Sequence, residues 1–136
     1  MLKKLYDLRR SRKGFTLVEL IVVLVILAIL AALLIPALTG YIDKAKSKKI
    51  VAETRQCVMA AQTLADEYYG SHDSKATFGT NITYDQVKTL AETKKAPTEI
   101  TLNGDGKVNK LVYDGCTYAV ATDGAVSYTI GGKVVA

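Results

Sequence analysis

The sequence predicts an α+β protein in which one long N-terminal helix packs against a small antiparallel sheet. Residues 20–38 are all Leu, Ile, Val, Ala or Pro. As a helix, this run would span about 28 Å, which is close to the thickness of a bilayer core. From residue 98 onward, apolar and polar residues alternate between turns that contain Gly, which is typical of an antiparallel meander.

The positive charge of the chain lies at its N-terminus. The formal net charge is +5, and residues 1–14 supply all of it, with six basic residues against Asp7. Residues 15–136 have 12 basic and 12 acidic residues, so we expect no nucleic-acid partner. Basic residues before an apolar helix predict a single pass through the cytoplasmic membrane with the N-terminus inside. A second, moderate basic cluster follows the run, since residues 43–55 have a net charge of +3.

Two simple interpretations leave part of this N-terminal segment unexplained. A secretory signal has a shorter apolar region, and no small-residue cleavage site follows this one. A plain membrane anchor accounts for the length and the flanking charge, but not for the Gly14-Phe15 pair or for Glu19. A carboxylate at the edge of an apolar helix is costly unless another group neutralises it.

Residues 13–20 read Lys-Gly-Phe-Thr-Leu-Val-Glu-Leu and lead into the apolar run, which contains Pro36. This stretch resembles the class III signal of type IV prepilins and pseudopilins, and the resemblance is close over residues 1–41. It implies a pilin-like fold. It also implies that a prepilin peptidase cuts between Gly14 and Phe15 and methylates the new amine of Phe15.

Glu19 has two interpretations. In a bundle of parallel helices, its carboxylate would pair with the terminal amine of Phe15 on a neighbouring subunit. Such a pair offsets two desolvation costs and disfavours other registers, so Glu19 would set the register of assembly. Alternatively, Glu19 is a helix-start residue placed favourably against the helix dipole.

The sequence predicts four regions in order. They are 1–14, a leader peptide; 15–40, a hydrophobic transmembrane and assembly helix; 41–69, its amphipathic continuation; and 70–136, a globular head with a short helix and an antiparallel meander. Pro36 removes a backbone donor and Gly40 adds freedom, so we expect a helix kink there. That kink is either harmless or a source of extensibility in a filament. Gly70 is expected to cap the C-terminus of the long helix.

The amphipathic part of the helix has an apolar stripe at steps of three and four residues. The stripe consists of Ile50, Thr54, Cys57, Val58, Ala61, Leu64, Ala65 and Tyr68, and the opposite face holds Lys49, Glu53, Gln56, Gln62 and Asp66. We expect the stripe to be covered by the apolar face of the sheet.

The head is expected to begin with a polar loop, 70–81. Thr83 and Gln86 have the spacing of a capping box, which predicts a short helix to about Lys94, stopped by Ala96-Pro97. That helix would bury Tyr84, Val87, Leu90 and Ala91. The predicted strands are 99–102, 108–113, 116–122, 125–130 and 134–136.

Cys57 and Cys116 are the two cysteines. Each is predicted to face the interface between helix and sheet, and an extracytoplasmic head permits disulfides. Across this long loop a disulfide would contribute about 4 kcal/mol in the chain-entropy model. The alternative is two separate buried thiols that behave as small apolar residues.

No residue pattern predicts a metal, a cofactor or an enzyme. Residues 103–109 resemble part of a calcium loop, but Thr101 and Val112 stand where two oxygen ligands are expected, so a hairpin turn is favoured. His72 is expected to be a solvated loop residue. Some pseudopilins bind calcium in the C-terminal region, so this alternative stays open at the sequence level.

The resemblance implies a structural role. We expect a subunit that an assembly platform extracts from the cytoplasmic membrane into a homo-oligomeric helical filament, a type IV pilus (fimbrium) on the cell surface. The alternatives are a pseudopilin of type II secretion and a minor competence pilin. Adhesion, twitching motility, DNA uptake and protein secretion cannot be told apart from these residues.

Overall fold

The structure is a computed structural model that describes residues 14–136. The predicted leader, apart from Gly14, lies outside the described residues. The chain divides between Ile42 and Asp43 into two compact units. We call residues 14–42 the N-terminal segment and residues 43–136 the head.

Helix α1 extends over Leu17–His72, 56 residues in all. It passes through Gly70, so the predicted cap at that residue is wrong. Asp73 takes the left-handed backbone conformation instead, with φ +50°, and its N–H donates to the Tyr69 carbonyl at 2.8 Å. A short polar side chain tolerates this conformation, which allows the helix to end without a terminal glycine.

Helix α1 is also continuous through Pro36 and Gly40. The hydroxyl of Thr39 donates to the Pro36 carbonyl at 3.0 Å, so a side chain bonds the backbone within this turn. Helical structure is therefore retained here, and the kink at these residues stays a prediction.

The head contains a five-stranded antiparallel sheet whose strands follow one another in sequence order. The strands are β1 Glu99–Leu102, β2 Val108–Tyr113, β3 Cys116–Val120, β4 Val126–Ile130 and β5 Lys133–Val134. All lie within about two residues of their predicted positions. β3 ends earlier and β4 begins later than predicted because Ala121 and Ala125 close the turn between them, with an N–H···O bond of 2.8 Å.

The Asp114-Gly115 turn shows why the hairpin positions follow from sequence. Both residues have positive φ, +44° and +80°, in the two-residue connection between β2 and β3. Asp-Gly is one of the few pairs that adopt this conformation at low cost, and its backbone twist matches the flanking strands. The turn therefore fixes the register in which Tyr113 lies opposite Cys116.

The core of the head lies between one face of α1 and one face of the sheet, as predicted. From the stripe, Thr54, Cys57, Ala61 and Ala65 are buried, and Val51 and Ala60 join them. The sheet supplies the buried residues Ile100, Val108, Leu111, Tyr113, Cys116, Tyr118 and Tyr128. Ile50, Val58, Leu64 and Tyr68 are partly buried against the same core.

Helix α2, Tyr84–Ala91, begins with the predicted capping box. It ends before Ala96-Pro97, because Glu92 adopts φ +55° and its N–H closes the last turn, so the predicted end at Lys94 is wrong. Val87 and Ala91 are buried as expected, whereas Leu90 is 50% exposed.

The segment before α2 is less polar in its packing than predicted. Ala76 and Phe78 are buried in the core, and Phe78 forms a bridge with Ile82. An aromatic residue within a polar loop therefore helps to cover the core.

Candidate assembly site

The N-terminal segment exposes almost all of its apolar surface. Every residue from Gly14 to Lys46 is exposed. By length and composition, α1 contains a stretch that is able to cross a membrane, and none of that stretch is buried. Soluble proteins rarely leave a contiguous apolar surface of this size uncovered. The segment therefore requires lipid or other protein chains around it.

Gly14, Phe15 and Thr16 precede α1 without regular secondary structure. All three are exposed, and a Cβ built on Gly14 would meet no atom within 4 Å. Within the described range 14–136, no residue therefore covers the bond between Gly14 and Phe15. Cleavage there, and methylation of Phe15, stay predictions.

Glu19 lies in the first turn of α1, where it forms a reciprocal capping box with Thr16. The Thr16 N–H donates to Glu19 Oε2 at 3.0 Å, and the Glu19 N–H donates to Thr16 Oγ1 at 3.3 Å. This is the helix-start role that was the alternative interpretation of Glu19. The two roles are compatible, because an ionised carboxylate has about four acceptor positions and this N–H uses one of them.

The two cysteines are free thiols in the structure, and both are fully buried in the core. The structure therefore has the arrangement of the alternative interpretation, two separate thiols, and the disulfide between Cys57 and Cys116 stays a prediction. The Cys57 thiol contacts Thr93, whose hydroxyl lies 3.7 Å from Cys57 Sγ. The same hydroxyl donates to the Lys95 carbonyl at 2.9 Å. The Cys57 thiol therefore has a polar partner other than Cys116.

The environment of Cys57 does not favour the reactive thiolate form. Burial raises the pKa of Cys57 and outweighs the lowering by the Thr93 hydrogen bond, and the nearby charge of Glu53 adds a smaller rise. Because the thiolate is the nucleophile, this thiol is expected to be inert while the head is folded.

The turn between β1 and β2 is closed by its own side chain. Asn103 Oδ1 accepts hydrogen bonds from the N–H groups of Asp105, at 3.0 Å, and Lys107, at 2.9 Å. The oxygen that would be a calcium ligand is thus occupied within the turn. Among residues 14–136, no three His, Cys, Asp or Glu side chains are grouped so as to hold a metal ion.

His72 lies in the last turn of α1, not in the loop where it was predicted. Its ring is exposed and stacks on that of Tyr68, with centroids 4.1 Å apart. Stacking one turn apart on a helix explains its position without a ligand.

Sequence reasoning missed two polar links between α1 and the sheet. The Tyr113 hydroxyl donates to Glu53 Oε2 at 2.9 Å. The Gln62 side chain accepts from the Val108 N–H at 2.9 Å and donates to the Gly106 carbonyl at 3.3 Å. Helical periodicity placed Glu53 and Gln62 on the polar face, and no local signal distinguishes a solvated side chain from one that bonds a distant strand.

Comparison with known proteins identifies the N-terminal segment. A family model described as the prokaryotic N-terminal methylation motif matches residues 9–35. The chain is also 43% identical over 60 residues to the type II secretion system core protein G of Klebsiella michiganensis. That match covers 44% of this chain and 39% of the relative, so the chain spans about two fifths of the relative it matches. No solved structure matches the chain.

The methylation motif, the long N-terminal helix and the small antiparallel sheet together define a class. In these features the chain is similar to type IV pilin-like proteins, a group to which pseudopilins also belong. Its head is an α+β domain of the kind that the sequence predicts.

Proposed function

We propose that the chain is a structural subunit of a helical filament, processed by a prepilin peptidase and polymerised through its N-terminal segment. The observation that carries this proposal is a fully exposed apolar helix that begins at a single carboxylate, Glu19. Before assembly, the segment is held in the cytoplasmic membrane. The proposal assigns the chain no enzymatic activity and no cofactor.

The chemistry of the segment explains why Glu19 matters. Moving an apolar helix from lipid into a bundle of equivalent helices gains little hydrophobic free energy, because lipid tails are as apolar as Leu. Packing and polar pairs must then supply the specificity. The carboxylate of Glu19 is the only side-chain charge between Gly14 and Ile42, so it is the group that can select a neighbour's amine.

We further propose that this filament is the short pseudopilus of a secretion system. The relative named for type II secretion supports this choice. A long surface pilus is the second candidate, supported by the 103–107 turn, which is closed by Asn103 and is not arranged as the calcium site that some pseudopilins have. Adhesion and motility would follow only from the second candidate.

The processing step is tested by co-expression with a prepilin peptidase and mass measurement of the mature chain. The expected product lacks residues 1–14 and carries one additional methyl group on Phe15. An intact N-terminus, or cleavage after Leu38, would show that the motif is not used as proposed.

The role of Glu19 is tested with two substitutions that separate charge from capping. Glu19→Ala removes both, whereas Glu19→Gln keeps an oxygen that can accept the Thr16 N–H bond but has no charge. We expect both variants to be cleaved normally and to sediment as filaments at about a tenth of the normal amount or less, because removing one partner of a buried ion pair is strongly destabilising. Normal filaments from Glu19→Gln would show that capping alone is the role of Glu19.

The two kinds of filament are distinguished in the native host. Deleting the gene should block export of secreted proteins and leave sheared surface material unchanged by electron microscopy if the filament is a pseudopilus. Loss of long surface filaments with normal export would instead establish the surface pilus.

A further inference from the structure

We propose that the head has its own contact with the membrane, through a basic surface that binds anionic phospholipid headgroups. We call this surface the basic pole; it comprises two separate grooves that both adjoin residues 43–55 of α1. Its basic residues are Lys44, Lys46, Lys48, Lys49, Arg55, Lys94 and Lys95. The proposal rests on the membrane-anchored state in the proposed function, and it concerns the subunit before it enters a filament.

Folding brings the lysines of two distant segments to one cavity. Lys46 and Lys49 on α1 and Lys94 and Lys95 after α2 line a cavity of about 230 Å³. All four lysines are exposed. Like charges gathered at one concave surface repel each other unless an anion lies between them, so this arrangement favours an anionic ligand.

The acidic residues of this cavity are already used within the head. Asp114 pairs with Lys95 at 2.6 Å, and Glu53 accepts the Tyr113 hydroxyl and lies 4.0 Å from Lys49. The ion pairs of the described part of the chain involve neither Lys46 nor Lys94. Two cationic side chains are therefore available to a ligand.

A second groove on the same stretch of α1 combines cationic and apolar surface. It has a volume of about 590 Å³, and its lining contains three cationic residues, Lys44, Lys48 and Arg55, and one carboxylate, Asp43. Beside them lie the apolar residues Val51, Ala52, Val135 and Ala136. Arg55 is held by stacking over the Tyr128 ring at 5.1 Å. A surface of this composition suits a phosphate group that carries hydrocarbon, because the phosphate meets the cations and the chain meets the apolar floor.

The charge of the head is distributed unevenly, with a positive basic pole and a negative remainder. The seven basic residues of the basic pole are accompanied by three acidic residues, Asp43, Glu53 and Asp114, so the net charge there is +4. The whole head has 12 basic and 11 acidic residues, so the remainder carries −3. An anionic surface therefore attracts the basic pole and repels the rest of the head.

The covalent chain keeps Lys44, the first residue of the basic pole, near the bilayer in any arrangement of the two units. Lys44 is six residues beyond Leu38, the end of the apolar run, so even a fully extended chain separates them by at most about 21 Å. The headgroup layer accounts for about 5–8 Å of that distance, and charges interact over a Debye length of about 8 Å. Long Lys side chains cover part of the remaining distance.

The test uses the full chain in nanodiscs that contain either phosphatidylcholine alone or phosphatidylcholine with phosphatidylglycerol. Each lysine is acetylated with a soluble amine reagent, and its rate is measured by mass spectrometry. In the anionic discs we expect Lys44, Lys46, Lys48 and Lys94 to react at least about threefold more slowly, since a surface potential of about −30 mV retains protons on amines by that factor. Lys107 and Lys133, which are exposed and lie outside the basic pole, are the controls within the chain.

Salt should remove the effect. At about 0.5 M sodium chloride the Debye length falls to about 4 Å, and the rates of the basic-pole lysines should return to those in neutral discs. Equal rates in the two kinds of disc at low salt, or equal slowing of Lys107 and Lys133, would overturn the proposal.

Two further arms exclude other ligands. If millimolar inorganic phosphate protects the same lysines in neutral discs, the site takes a soluble anion and the lipid proposal is wrong. If protection in neutral discs appears only with several copies per disc, the acidic remainder of a second copy is the partner and the proposal is again wrong. A chain that is not retained in any disc would contradict the anchored state of the proposed function, whereas a retained chain without protection contradicts this inference alone.

Discussion

The N-terminal segment and the head differ in the exposure of their aliphatic side chains. In the N-terminal segment, Leu, Ile and Val side chains are exposed along the whole helix, and in the head they are buried against a sheet. Apolar burial dominates folding free energy, so the head can hold its structure with its own contacts. The N-terminal segment needs surroundings that other molecules supply.

Both units contain a helix that begins with a capping box, and comparing the two boxes shows how Glu19 differs from its counterpart, Gln86. Thr16 with Glu19 and Thr83 with Gln86 form the same reciprocal capping box, with N–H···O distances of 2.8–3.3 Å. Gln86 shows that a neutral amide is sufficient to cap a helix here. The charge of Glu19 therefore exceeds what the hydrogen bonds of the capping box require, and its role is either the favourable interaction with the helix dipole or the proposed pairing in assembly.

The largest difference between the units should appear when one leucine in each is shortened. Leu111→Ala removes a fully buried side chain, and we expect the free energy of unfolding of the head to fall by about 2–5 kcal/mol. Leu27→Ala, at a position that is 55% exposed, should change it by less than about 0.5 kcal/mol. Urea titrations in mild detergent, followed by circular dichroism, measure both values; equal effects would contradict the division into a packed and an uncovered unit.

Alkaline pH should destabilise the head through Tyr113. Burial, followed by the hydrogen bond to Glu53 and its charge, raises the pKa of Tyr113 to about 12. The unfolded chain loses this proton near pH 10 and the folded head keeps it, so stability is constant below about pH 10 and falls between about pH 10 and 12. We expect a loss of about 2–3 kcal/mol from this group over that range.

Two variants test whether Tyr113 causes the loss of stability at alkaline pH. Tyr113→Phe should reduce the fall between about pH 10 and 12, because the phenol at position 113 no longer titrates. Burial also raises the pKa of Tyr118, so a smaller fall should remain. Tyr41→Phe, in the N-terminal segment at 79% exposure, should leave the original fall unchanged. An unchanged fall in Tyr113→Phe would show that another group causes it.

The smallest expected effect is on the capping boxes, one of which is removed in each unit by a single Thr→Ala substitution. Thr83→Ala should lower the free energy of unfolding of the head by about 1 kcal/mol, since the Gln86 N–H loses its acceptor. Thr16→Ala removes the same bond from the N-terminal segment and should leave the unfolding of the head unaltered. A comparable loss from both substitutions in the same urea titration would mean that the two units unfold as one.

Local patterns predicted most of the fold. The five strands lie close to their expected positions because Asp114-Gly115 and similar turns determine hairpins within a few residues. The capping box at Thr83 was predicted for the same reason, since its partners are three residues apart. The errors at helix ends, Gly70 and Lys94, arose where Asp73 and Glu92 adopted a left-handed conformation that their residue types only weakly indicate.

The candidate assembly site was also predicted from sequence, because its elements are contiguous. Gly14, Phe15 and Glu19 lie within six residues, and their meaning depends on spacing and on the apolar run, not on tertiary contacts. What remained open was whether Glu19 caps the helix or pairs with a neighbour. The structure supplies the capping geometry, and the comparison with Gln86 shows that the capping hydrogen bonds do not themselves require a charge.

The sequence by itself determined the exposed apolar helix, the processing motif and the antiparallel meander, since each depends on residues near one another along the chain. Only the tertiary structure decided the partners of Cys57, Glu53 and Gln62, and the meeting of Lys46 and Lys49 with Lys94 and Lys95. These contacts join residues that are more than 30 positions apart. Their pairing depends on how the sheet packs on α1, which no local pattern encodes.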